Sequence, residues 1–108
     1  MNYQTNYEGI KTDIQTVGVE LNGFLQIRIQ NMIAKLKKLW PEMNWIDVYL
    51  KQTFKRSIHP RKINVRFGIP GQDLVASEKG YNWKLLLKNV EKKLIRQLSK
   101  RKSVVHNI

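Results

Sequence analysis

The chain has 108 residues, of which 42% are hydrophobic, enough for one compact domain with a modest core and too few for two. Twenty Lys and Arg against eight Asp and Glu give a formal net charge of +12, which directs attention to polyanionic partners, nucleic acid first and an acidic membrane surface second. The absence of cysteine excludes disulfides, thiol nucleophiles and cysteine-ligated metal centres, and neither a secretory signal nor a run of roughly 18 apolar residues is present, so a cytoplasmic protein is the simplest expectation.

In chain order, residues 1–9 are polar and aperiodic and are expected to form a flexible N-terminal extension. The domain is expected over residues 10–102. Ile10, Thr12, Ile14 and Thr16 alternate with Lys11, Asp13 and Gln15, the period of a half-buried strand. Asn22 is a suitable N-cap for a helix in which Leu25, Ile29, Met32, Ile33, Leu36 and Trp40 recur at helical spacing until Pro41 ends it. Two further strands follow from the alternation of Ile46, Val48 and Leu50, and of Ile63, Val65, Phe67 and Ile69. The segment between them carries Lys55, Arg56, Arg61 and Lys62 around Pro60 and reads as a basic hairpin loop. Pro70-Gly71 suits the centre of a type II turn, Leu74 to Ala76 a short fourth strand, and Asn82 the cap of a last helix. Residues 103–108 remain as a short tail. The order β-α-β-β-β-α predicts an α+β two-layer sandwich, a four-stranded sheet with two helices on one face.

The last helix holds the most informative charge pattern. Lys84, Lys88, Lys92, Arg96 and Lys100 stand four apart and form one slanting ridge, although like charges at that spacing repel by roughly 0.2–0.5 kcal/mol per pair. Trp83, Leu87, Val90, Leu94 and Leu98 fall on the opposite side, while Leu85 lies among the lysines. Between Trp83 and Lys102, Glu91 is the single acid, whereas the first 23 residues carry Lys11 against Glu8, Asp13 and Glu20, so the charge is polarised. A lysine-rich helix is often no more than a solvated surface. Here Lys35, Lys37 and Lys38, the basic loop and Lys100-Arg101-Lys102 add cations from separate elements with few counter-charges, a surface suited to neutralising phosphates.

VGVELNGFLQIRIQNMIAKLKKL, residues 17–39, and VASEKGYNWKLLLKNVEKKLIRQLSKRK, residues 75–102, resemble the strand-to-helix and final strand-helix segments of the ribosome hibernation promoting factor family, also called ribosome-associated inhibitors, sigma-54 modulation or S30AE proteins. The best-matching stretches are Ala34-Lys35-Leu36 and Lys93-Leu94-Ile95-Arg96-Gln97-Leu98-Ser99-Lys100. The resemblance implies a fold similar to double-stranded RNA-binding domains and a translation-silencing factor in the mRNA and tRNA channel of the 30S subunit or 70S ribosome. It places Lys35, Lys93, Arg96, Lys100 and Lys102 on 16S rRNA phosphates by matching position. Lys38, Lys92 and Arg101 join them by charge alone, and Lys84 and Lys88 complete the ridge. The chain departs from the family where acidic residues are common, having Asn82 and Lys88 instead, and has Lys84 where an aromatic is frequent, so its surface is more basic than usual. Many members carry a further domain that pairs ribosomes; with six residues after Lys102, this chain is expected to be monomeric off the ribosome and unable to pair ribosomes alone.

No sequence-local carboxylate pair, glycine-rich phosphate loop or catalytic constellation points to an enzyme, a small-molecule substrate or a cofactor. His59 and His106 lack neighbouring ligands for a metal. Trp40, Trp45 and Trp83 read as core or core-edge packing, and Tyr49 and Arg66, on the open side of the sheet, as better stacking candidates. The alternative to a ribosome ligand is a general RNA- or DNA-binding regulator of the same fold. A membrane-surface role for the last helix ranks below both, because its apolar stripe is needed for the core.

Overall fold

A computed structural model describes residues 1–53 and 58–106, with side chains through Arg101. Its elements are β1 (Asn2–Tyr7), β2 (Ile10–Val17), α1 (Gly23–Leu39), β3 (Trp45–Gln52), β4 (Arg61–Ile69), β5 (Gln72–Gly80) and α2 (Trp83–His106). The α+β class and the succession from β2 to α2 agree with the sequence reading. The strand count does not: the sheet has five strands in the order β1-β2-β3-β4-β5. Residues expected to form an extension outside the fold instead supply the edge strand β1, antiparallel to β2 from Asn2↔Gln15 to Tyr7↔Ile10. The connecting Glu8 and Gly9 both adopt positive φ, 50° and 78°, the combination that reverses a two-residue hairpin in keeping with strand twist. Tyr3 and Tyr7 then rest against the core, which is what β1 gains by docking.

The β2–β3 pair is parallel because α1 carries the chain across between them; the other pairs are antiparallel. Asn22 caps α1 by accepting a 2.9 Å hydrogen bond from the Leu25 amide. At the other end Lys37 Nζ donates to the Pro41 and Met43 carbonyls at 2.6 and 2.8 Å, turning the chain toward β3. Gly71 has φ 94°, as the third position of a type II turn after Pro70 requires. β5 is longer than the three residues expected, since Asp73, Ser77 and Lys79 conceal a full period of two on its solvent side. Asn82 caps α2 through the Leu85 amide at 3.2 Å, and the helix runs on through His106, into the segment expected to be a tail.

Alternation along β2, β3, β4 and β5 sends Ile10, Ile14, Ile46, Val48, Leu50, Ile63, Val65, Phe67, Leu74 and Ala76 to one side of the sheet. Leu25, Ile29, Met32, Ile33 and Leu36 of α1 and Trp83, Leu86, Leu87, Val90, Leu94 and Leu98 of α2 complete the same core. Leu86 adds to the stripe read from the sequence, and Leu85 remains exposed as its position implied. Both helices therefore cover one face, and the opposite face of the sheet lies open.

Candidate nucleic-acid interface

The α2 stripe fixes where the basic ridge points. With Val90 and Leu94 turned inward, the 100° advance per residue carries Lys84 and Lys88 toward α1, Lys92 outward, and Arg96 and Lys100 toward the β5 edge. All five are exposed, and none has an ion pair or hydrogen bond to a described side chain. The ridge is thus a line of cations without ion pairs among the described residues, on the outer surface of the helical layer.

Between the helices lies a groove of about 490 Å³ whose charged rim is Arg28 and Lys35 from α1 and Lys84, Lys88 and Glu91 from α2. Four cations face one carboxylate. Lys35 Nζ reaches Glu91 at 3.5 Å while two-thirds exposed, so the pair leaves most of the ammonium free to meet a phosphate. Arg28 also stands 5.4 Å over the Phe24 ring, which is itself half exposed. Sequence reasoning passed over Arg28. Its signal was position: Arg28, Asn31 and Lys35 recur at helical spacing on the flank of α1 that meets α2.

The other expected contacts separate into distinct roles. Lys93 lies on the β5 side of α2, where its exposed Nζ bonds the Glu78 carboxylate at 2.9 Å and the Ser77 carbonyl at 3.0 Å. Gln97 and Arg101, one and two turns on, donate to the carbonyls of Val75 and Pro70, each at 3.0 Å. Lys93 and Gln97 therefore stitch α2 to the edge strand β5, and Arg101 to the turn before it, supplying donors to carbonyls that no further strand covers among the described residues. Lys38 is exposed at the end of α1. The Lys102 side chain and the loop residues Lys55 and Arg56 lie outside the described residues, while Arg61 and Lys62, assigned to the loop in the sequence, belong to β4.

On the open face, Trp45 lies beneath Arg66, whose guanidinium is 6.0 Å from the ring, and Arg66 also pairs with Asp73 through Nε at 3.0 Å and through Nη2. That bond and the Asp73 charge raise the Arg66 pKa above its ordinary value. Burial, and then the charge of Asp13 opposite it in register, push the Asp47 carboxyl up, against the pull of Arg66. Trp45 and Arg66 are thus occupied with one another, and Tyr49 is left as the freer aromatic. Among the described residues no cluster of His, Asp and Glu could hold a metal ion, and no helix is long and apolar enough to cross a membrane.

An α+β domain with a sealed core, an unpaired cationic ridge and a basic interhelical groove has the features of a polyanion-binding protein. The profile of the family described as sigma 54 modulation protein / S30EA ribosomal protein matches residues 12–105, and the chain belongs to that ribosome-associated, non-enzymatic family. Among solved structures it is similar to a ribosomal subunit interface protein from Coxiella burnetii, with 18% identity, a TM-score of 0.69 and coverage of 83% of this chain and 97% of that one. It is also similar to the N-terminal domain of Protein Y from Thermus thermophilus, with 13% identity, a TM-score of 0.70 and coverage of 85% and 97%. No curated protein sequence matches the chain.

Proposed function

We propose that the chain is a translation-silencing ribosome ligand that binds in the mRNA and tRNA channel of the small subunit and contacts 16S rRNA through the outer face of its helices. The observation that carries the reading is the five-residue ridge, none of whose members is ion-paired among the described residues, joined to the groove cations Arg28 and Lys35, in a chain of this family. Repulsion along the ridge disfavours the free helix and is relieved when phosphates lie against it, with release of their counterions. Lys84, Lys88, Lys92, Arg96 and Lys100 carry the phosphate contacts, Lys35, Lys38 and Arg28 flank them, and Lys93 and Arg101 hold α2 in place. The mechanism is occupation: a bound domain excludes mRNA and tRNA and requires no catalytic group. The fold shared with the Coxiella protein, named as a ribosomal subunit interface protein, favours a ribosomal partner, and a ribosome ligand works in the cytoplasm.

The test is sedimentation with 70S ribosomes at near-physiological salt, with excess duplex RNA as competitor and with ribosomes already filled by tRNA and mRNA alongside empty ones. Stoichiometric binding to empty ribosomes that survives competitor, is lost on filled ones and is lost with Lys88, Arg96 and Lys100 changed to Glu is the expected result. Binding stripped by duplex RNA, or indifferent to tRNA and mRNA, would identify a general RNA-binding regulator instead.

A further inference from the structure

The open face of the sheet carries a second basic array that no single stretch of sequence reveals. Register places Lys51 of β3 opposite Lys62 of β4, and Lys62 opposite Lys79 of β5. Three ammonium side chains thus stand in one row on adjacent strands, roughly 4.8 Å from neighbour to neighbour. All three are exposed, and none has an ion pair or hydrogen bond to a described residue. Directly opposed like charges destabilise a sheet. Glu78, at the rim of the same face, has its carboxylate paired to Lys93 at 2.9 Å, and Asp47 lies four residues from Lys51 along β3, roughly 13 Å away.

Beside the lysines the next row holds Tyr49, Asn64 and Ser77, also in register. Asn64 Nδ2 donates to Ser77 Oγ at 2.7 Å, which leaves the amide oxygen and the hydroxyl hydrogen for a ligand. Tyr49, Lys62, Asn64, Ser77 and Lys79 line an open basin of about 510 Å³, which reaches past the β5 edge to the paired Glu78 and Lys93. A line of cations bordering an aromatic ring and unspent polar groups on a flat sheet suits a chain whose phosphates and unpaired bases run side by side. A duplex keeps its bases in its own stack and would leave Tyr49 without a partner.

We infer that this face is a second RNA site, which takes a single-stranded segment with its phosphates along Lys51, Lys62 and Lys79 and a base stacked on Tyr49. It lies on the side of the sheet away from the helices and stands independently of the ribosome-binding reading.

The experiment measures fluorescence anisotropy of a labelled oligouridylate of about twelve nucleotides, too uniform to form duplex, across a salt series. It compares the wild-type chain, a sheet variant (Lys51→Gln, Lys62→Gln, Lys79→Gln), Tyr49→Leu, and a helix variant (Lys84→Gln, Lys88→Gln, Arg96→Gln). The sheet variant is expected to lower the slope of log K against log salt by about 2, three phosphate contacts at about 0.7 each. Tyr49→Leu is expected to weaken binding about tenfold with the slope unchanged. Both should bind duplex RNA and ribosomes as the wild type does, and the sheet variant should melt no lower, because repulsion has been removed. Unchanged oligouridylate binding by the sheet variant, its complete loss in the helix variant alone, or displacement of the RNA by polyglutamate at equal charge would overturn the proposal, the last in favour of an acidic peptide. Ribosome sedimentation of the same variants reports separately on the helical face, so failure of one reading does not entail failure of the other.

Discussion

Lys92→Gln tests whether the ridge trades stability for binding. Lys92 is exposed and lies four residues from both Lys88 and Arg96, so the change removes two like-charge contacts and no ion pair or hydrogen bond to a described residue. Lys and Gln have nearly equal helix propensity, which leaves electrostatics as the difference. At roughly 0.2–0.5 kcal/mol per pair, the variant should be more stable by about 0.4–1 kcal/mol. For a domain of this size that is a rise in Tm of about 2–5 °C. Urea unfolding should show the midpoint rising with an unchanged m-value, and the gain should shrink in about 1 M salt, where screening acts within ~3 Å. The same substitution should weaken ribosome binding and lower its salt slope by about 1. A midpoint that stays or falls would refute the claim that the ridge is under repulsive load, and an unaltered salt slope would remove Lys92 from the RNA contacts.

Lys93→Ala should behave in the opposite way, losing about 0.5–1.5 kcal/mol through its bonds to Glu78 and Ser77 and speeding hydrogen exchange along β5, with no more than a secondary effect on RNA affinity. Gly68→Ala would set a Cβ 2.5 Å from Nε1 and 2.7 Å from Cε2 of Trp45; the ring must leave its place under Arg66, at a cost of about 1–3 kcal/mol and with a shift in tryptophan emission. The Asp47 carboxyl binds its proton more tightly in the fold than at its ordinary value of 3.8, so it subtracts stability as pH rises through that range and leaves the full deficit at neutral pH. Asp47→Asn should therefore raise Tm at pH 7 and have less effect near pH 3, as scanning calorimetry across pH would read; equal gains at both would show that the benefit is not electrostatic.

The strands and helices that bury an apolar stripe were legible because each period left a complete trace, as in Ile63, Val65, Phe67 and Ile69. β1 was not, although Tyr3, Thr5 and Tyr7 alternate with Asn2, Gln4 and Asn6: none of these residues is strongly apolar, and Glu8-Gly9 is not among the usual hairpin signals. The ridge was visible because a helix turns sequence spacing directly into surface geometry. The duties of Lys93 and Arg101 were hidden, since they depend on α2 crossing the β5 edge and the turn that precedes it. The row of Lys51, Lys62 and Lys79 was hidden for the same kind of reason: cross-strand register sets residues 11 and 17 positions apart side by side.

That row and the ridge sit on opposite faces of a molecule whose smallest dimension is 20 Å. At physiological ionic strength the Debye length is about 8 Å, so the two cation sets scarcely sense one another, and each repels only within itself. Even without salt, two unit charges at that distance in water interact by only about 0.2 kcal/mol. Their effects on stability and on RNA binding should accordingly be additive. Combining Lys92→Gln with Lys62→Gln tests this: the middle member of each array is removed, and the rise in Tm should equal the sum of the two single rises within error. With a ribosome bound at the helical face, oligouridylate should still be taken up at the sheet with its salt slope unchanged. A combined rise well short of the sum would mean that the two arrays share one repulsive field. Loss of oligouridylate uptake on ribosome binding would mean that one RNA surface wraps both faces of the domain.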